Sequence, residues 1–199
     1  MKIDQAEVLR YLGHRGQPLS EAMNALMGDC IALCESTARP LYVYKIFETQ
    51  PAENGVLLRS ASLTLTGADI RDHLKRSSKC AVLAATLGAA VDLLIQTAQL
   101  TDMARAVILD ACADALIERC CDEITARISR DAGAEGCRIT GRFSPGYGDF
   151  PLEIQPAILL LLDAQKKIGL TCTQDALMIP RKSITAVVAI HNSQCAMRN

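Results

Sequence analysis

The chain has no excess of charge of either sign: 21 basic and 22 acidic side chains are interspersed, for a formal net charge of -1. Such a surface has no field with which to steer nucleic acid or an anionic membrane, so neither is expected as a partner. Long hydrophobic runs are missing too. The longest, from Ala81 to Ile95, is too short to span a bilayer and is broken by Asp92, and the opening "MKIDQAEVLR" is charged where a signal peptide is apolar. The expected location is cytoplasmic.

Signatures of common catalytic machinery are also absent. There is no Gly-Lys-Ser/Thr of a phosphate loop, and "GYGDFP" begins like a dinucleotide fingerprint at Gly146 and Gly148 but has Pro151 where a third glycine would allow close helix packing. His14, His73 and His191 are scattered without recognisable partners, and no serine sits in a nucleophile turn, so nothing indicates a triad. Cys30 and Cys34 stand one helical turn apart, a spacing that can ligate a metal, but no second cysteine or histidine pair follows at a useful distance. Packing is the favoured role for both.

What is present is enough apolar material for one buried core: 50% of the residues are hydrophobic and 22% charged. We expect a single unit over 1–199, with a helical N-terminal segment over about 1–38. The nine cysteines are odd in number, and several sit on apolar helix faces, as in "CIALC" and "ERCCDE". They read as reduced thiols in a reducing or anaerobic cytoplasm, with no disulfide framework.

Along the chain, Asp4 with Glu7 caps a short helix that runs to about Gly13. Met23, Leu26, Met27, Cys30, Ile31 and Cys34 recur at helical spacing over Glu21 to Ser36. "PLYVYKIF" reads as a strand, and Asn54-Gly55 as the hairpin that returns "VLLRSASLTLTG" beside it. Thr66 with Asp69 opens a short helix; "CAVLAATLG" is a buried strand; a helix covers 89–99. Thr101 begins the longest helix, over about 102–130. "CRITGRF" and "SITAVVAI" are strands, and between them Pro151 starts a helix that Pro156 delays or kinks. Strands precede, separate and follow the helices without a βαβ alternation, which gives an α+β fold with a mostly antiparallel, twisted sheet packed with helices.

The densest cluster of special residues is "RFSPGYGDFP". Pro145-Gly146 suits the centre of a type II turn, and Gly148 frees the backbone again beyond Tyr147. With Arg142 at its start, the turn could bind a carboxylate while the tyrosine ring covers an apolar group; from the residues alone an ordinary strand-to-helix connection is the favoured reading. Glu118, among the apolar residues of "ACADALIERCC", needs a partner, which could be Arg119, a basic side chain across the fold or a ligand's ammonium.

Taken together, "LTLTGADIRDHLK", "AATLGAAVD", "DMARAVILDACADALIE", "RFSPGYGDFPLEIQ" and "IPRKSITAVVAI" resemble the activation (reactivation) domain of cobalamin-dependent methionine synthase, especially its free-standing bacterial relatives. The resemblance runs from about Tyr42 onward. It implies an S-adenosylmethionine-binding activation subunit that supports reductive remethylation of cob(II)alamin in methionine biosynthesis. By similarity Arg142 holds the methionyl carboxylate, the Ser144, Pro145, Gly146 and Tyr147 turn lines the ligand, and Glu118 suits its ammonium or sulfonium charge. Ile184 and Thr185 fall where the large synthase has a pair of tyrosines beside the adenosyl group. The Asp-x-His-x-x-Gly signature of a cobalamin module is absent, "DHLKRS" being the nearest look-alike. Cobalamin is therefore expected on a partner, a methionine synthase subunit or other corrinoid protein, with a flavodoxin-like or ferredoxin-like electron donor. Such a chain is at most an accessory component of the methyltransferase, not a complete synthase. The alternative is a non-catalytic module that senses S-adenosylmethionine or docks onto a corrinoid protein.

Overall fold

The computed structural model describes residues 1–192. Its centre is a six-stranded antiparallel sheet in the order β3-β2-β1-β4-β8-β5. The strands are β1 (Leu41–Ala52), β2 (Gly55–Leu58), β3 (Leu63–Thr66), β4 (Lys79–Thr86), β5 (Cys137–Phe143) and β8 (Ser183–Asn192), and a separate two-stranded ribbon joins β6 (Thr171–Cys172) to β7 (Met178–Ile179). The helices are α1 (Gln5–Tyr11), α2 (Glu21–Thr37), α3 (Ala68–Leu74), α4 (Ala89–Thr101), α5 (Met103–Ala134), α6 (Gln155–Leu162) and α7 (Ala164–Ile168). This is the α+β arrangement that the sequence implies.

β4 and β8 are buried on both faces, and their alternation sorts the core into two layers. Ala81, Leu83, Ala85, Ala186, Val188 and Ile190 face α1, α2, α4 and α5. Cys80, Val82, Ala84, Val187 and Ala189 face the other way, toward Phe150 and the apolar sides of α3, α6 and α7. The long helix α5 lays a stripe from Ala106 to Ala132 against the first layer. Its far turns are tied to β1: Arg127 donates to the Tyr42 hydroxyl at 3.0 Å, and Tyr44 donates to Asp131 at 2.7 Å.

Three boundaries differ from the sequence reading. The run after Asn54-Gly55 is two short strands, not one, folded back at Ser62, whose φ of 49° reverses the chain. Thr101 is the last residue of α4; the cap of α5 is Asp102, in extended conformation, whose side chain accepts from the Arg105 N–H at 3.0 Å. α3 is not opened by a Thr66–Asp69 box: Gly67 stands at its cap position without a side-chain bond, and the carboxylate that takes the first N–H groups is Asp149, from the far end of the chain. Pro156 does delay its helix. A 3₁₀ turn over Leu152–Ile154 precedes α6, and Asp163 in the left-handed region then separates α6 from α7. Among the described residues no helix is long and apolar enough to cross a membrane.

Candidate functional site

A cleft of about 520 Å³ opens between α5, the end of β5, the following turn and the start of β8. Glu118, Asp122 and Thr125 line it from α5; Gly141, Arg142, Phe143, Ser144 and Tyr147 line it from β5 and the turn, and Ile184 from β8.

Arg142 reaches this cleft because of one irregularity. β5 and β8 pair in register at Arg138↔His191 and Ile139↔Ile190, but Arg142 then lies opposite Val188, so β5 carries one extra residue between Ile139 and Arg142. Without that bulge, alternation would send Arg142 to the face opposite Ile139; with it, Arg142 shares the α5 face with Val188. The bulge is held by Thr140, whose hydroxyl accepts the Ala189 N–H at 3.2 Å and lies 3.1 Å from His73 Nε2. His73 in turn stacks on Phe143, and Phe143 on Phe150.

On the α5 side the guanidinium finds two carboxylates. Nη2 donates to Glu118 at 2.7 Å; Nη1 donates to Asp122 at 2.7 Å and to the Thr125 hydroxyl at 3.3 Å. Burial by itself would lower the pKa of Arg142, but the Asp122 hydrogen bond and the charges of Glu118 and Asp122 outweigh it and hold the pKa above its ordinary value. The same helix face continues toward its N-terminus with Asp114 and Asp110, again four residues apart, and Lys182 bridges them at 2.7 and 2.9 Å. Four carboxylates at i, i+4 spacing are thus matched by two cations, Lys182 and Arg142.

The turn has the geometry that its residues imply. The Tyr147 N–H closes on the Ser144 carbonyl at 3.2 Å, with Gly146 at φ 90°, as a type II turn requires. Its backbone groups do not point into open space, however: the Gly146 N–H donates to the Phe150 carbonyl at 2.8 Å, and Phe150 donates back to Tyr147 at 3.0 Å. Beyond it, Gly148 has φ 55° and packs so close to Asp69 that any Cβ would collide with that carboxylate.

Of the residues singled out from sequence, Glu118, Arg142, Ser144, Tyr147 and Ile184 meet at the cleft. Pro145 is buried and, with Gly146, shapes the turn without lining the cleft. Thr185 is placed elsewhere. One residue beyond Ile184 on a strand, it faces the opposite layer, where it is 2% exposed and hydrogen-bonds to Gln155. Glu118 is partnered across the fold, by Arg142 and not by Arg119, which pairs with Glu123 instead. Sequence reasoning missed Asp122 and Thr125, although Asp122 stands four residues after Glu118 and so belongs to the same helix face.

No protein-family model matches the sequence, and no curated protein matches it. Among solved structures, the crystal structure of the MetH reactivation domain bound to AdoHcy superposes with a TM-score of 0.71 over 96% of this chain and 74% of that one, at 15% identity. The chain has the fold of the MetH reactivation domain. In this reactivation-domain fold the N-terminal helices α1 and α2 cover the α5 layer, contributing Val8, Met27, Cys30 and Cys34 to the core. Burial pushes the thiols of Cys34 and Cys112 up to about 12, and no group of three or more histidine, cysteine or acidic residues among the described residues could hold a metal ion. Cys30 and Cys34 are packing residues of α2.

Proposed function

We propose that the cleft binds S-adenosylmethionine and that the chain serves as an activation subunit for reductive remethylation of partner-bound cob(II)alamin in cobalamin-dependent methionine synthesis. The observation that carries the reading is the Arg142 guanidinium, held against an acidic helix face in a fold shared with a domain crystallised with AdoHcy. Arg142 is suited to a methionyl carboxylate, and Glu118 to the neighbouring ammonium. Ile184 and the Tyr147 ring, 67% exposed at the rim, supply apolar cover for an adenosyl group. The cleft sets two carboxylates, Glu118 and Asp122, against the one cation Arg142, which favours a ligand carrying positive charge, and about 520 Å³ is within the range of small-molecule sites.

Bound there, S-adenosylmethionine would supply an already activated sulfonium methyl. The chain's residues then need only hold and orient it, and none has to act as a general acid or base. The cobalamin would come on a methionine synthase subunit or other corrinoid protein, and electrons from a flavodoxin-like or ferredoxin-like donor.

Titration calorimetry with S-adenosylmethionine tests the binding claim; absence of heat where a positive control binds would sink it. Methyl transfer is tested by following reduced partner cobalamin by absorbance with and without the chain. Equal rates would leave a sensing or docking module instead.

A further inference from the structure

Asp122 stands out in the cleft because it engages the one group that a carboxylate ligand would need. Three of the five N–H donors of Arg142 are engaged: Nη2 donates to Glu118, and Nη1 gives both of its hydrogens, to Asp122 and Thr125. The two acids are not equivalent. The Asp122 side chain is 72% exposed and that of Glu118 41%, while Arg142 is only 20% exposed. Water screens the Asp122 carboxylate more than that of Glu118, so the bond to Asp122 is the one that yields at the smaller cost. Glu118 is better kept, because it is less exposed and fixes the guanidinium at 2.7 Å.

We infer that Asp122 is an affinity-determining residue that competes with the ligand's carboxylate for Arg142 Nη1, so that binding exchanges one carboxylate for another. The inference rests on the proposed S-adenosylmethionine site. It makes a prediction about selectivity that a general electrostatic role would not. Removing a negative charge from the acidic face weakens the attraction of any cationic ligand; removing a competitor strengthens only ligands that carry a carboxylate.

The experiment compares wild type with Asp122→Asn and Asp122→Ala, using S-adenosylhomocysteine, which carries the carboxylate, and 5′-methylthioadenosine, which lacks it. An exposed pair of this kind corresponds to about a two- to fivefold change in affinity. The expected result is that gain for S-adenosylhomocysteine in both variants, with 5′-methylthioadenosine unchanged. Unchanged or weaker binding of S-adenosylhomocysteine, or an equal gain for both ligands, overturns the inference while leaving the site itself intact. If neither wild type nor variants bind S-adenosylhomocysteine, the site reading falls and the inference with it; binding by the variants alone would support both. Melting temperatures close to wild type confirm that an exposed position was changed without loss of fold.

Discussion

Asp69 and Asp149, eighty residues apart in the chain, bond to each other's backbone: Asp149 accepts the Asp69 N–H at 2.9 Å, and Asp69 accepts the Asp149 N–H at 3.1 Å. Asp149 also accepts the Ala68 N–H at 2.6 Å, so the residue that ends the cleft turn caps α3. The turn is thereby fastened to a helix on the other layer of the sheet. Those bonds hold the Asp149 carboxyl below its ordinary value of 3.8. Its stabilising contribution is therefore complete above that ordinary value and is lost as pH falls through the lower folded-state value. Asp149→Ala should melt below wild type at pH 7, and the gap should close in acid as wild type loses the same bonds. A constant gap across the titration would argue against the cap.

Gly148→Ala should be destabilising through both backbone and packing. A left-handed φ costs a residue with a Cβ about 1–2 kcal/mol, and the Asp69 carboxylate must move besides. Differential scanning calorimetry should show a lower melting temperature, and binding in the cleft should weaken as Tyr147 loses its support.

Arg142→Ala should reduce affinity for S-adenosylmethionine by about 1.5–3 kcal/mol, the range for a hydrogen bond to a charged group. Glu118 and Asp122 would be left without their cation, so the proper control is that the variant still melts cooperatively. Unchanged affinity in a folded variant would remove Arg142 from the site.

Thr185→Val should separate stability from binding. It leaves the Gln155 carbonyl, in a residue 4% exposed, without its hydroxyl partner, at a cost of about 1–3 kcal/mol. Because Thr185 faces away from the cleft, ligand affinity measured by calorimetry should not change.

Alkylation of the native protein at neutral pH should spare Cys34, Cys80, Cys112 and Cys121, whose thiols burial pushes up to about 12, and Cys120, pushed up to about 11. Among the described cysteines, Cys137 and Cys172 are partly exposed and should react before these, as peptide mapping would show.

The sequence by itself determined those elements that are written in local spacing: the apolar stripe of α5, the Asn54-Gly55 hairpin, the β-branched run of β8 and the Pro145-Gly146 turn. Alternation along a strand separates Ile184 from Thr185, although the resemblance put both beside the adenosyl group; the structure keeps only Ile184 at the cleft. What it did not reveal was the side of the sheet on which Arg142 would emerge. That depends on one extra residue in β5, visible only against the register of β8, and on Thr140 taking the Ala189 N–H to hold the bulge. The cap of α3 was hidden for the same reason: Thr66 and Asp69 have the spacing of a local capping pair, but Asp149 arrives from eighty residues away. Tertiary structure alone decided the pairing of Arg142 with Glu118 and Asp122, because a charge on a strand chooses its partner only once a bulge and a helix have been packed together.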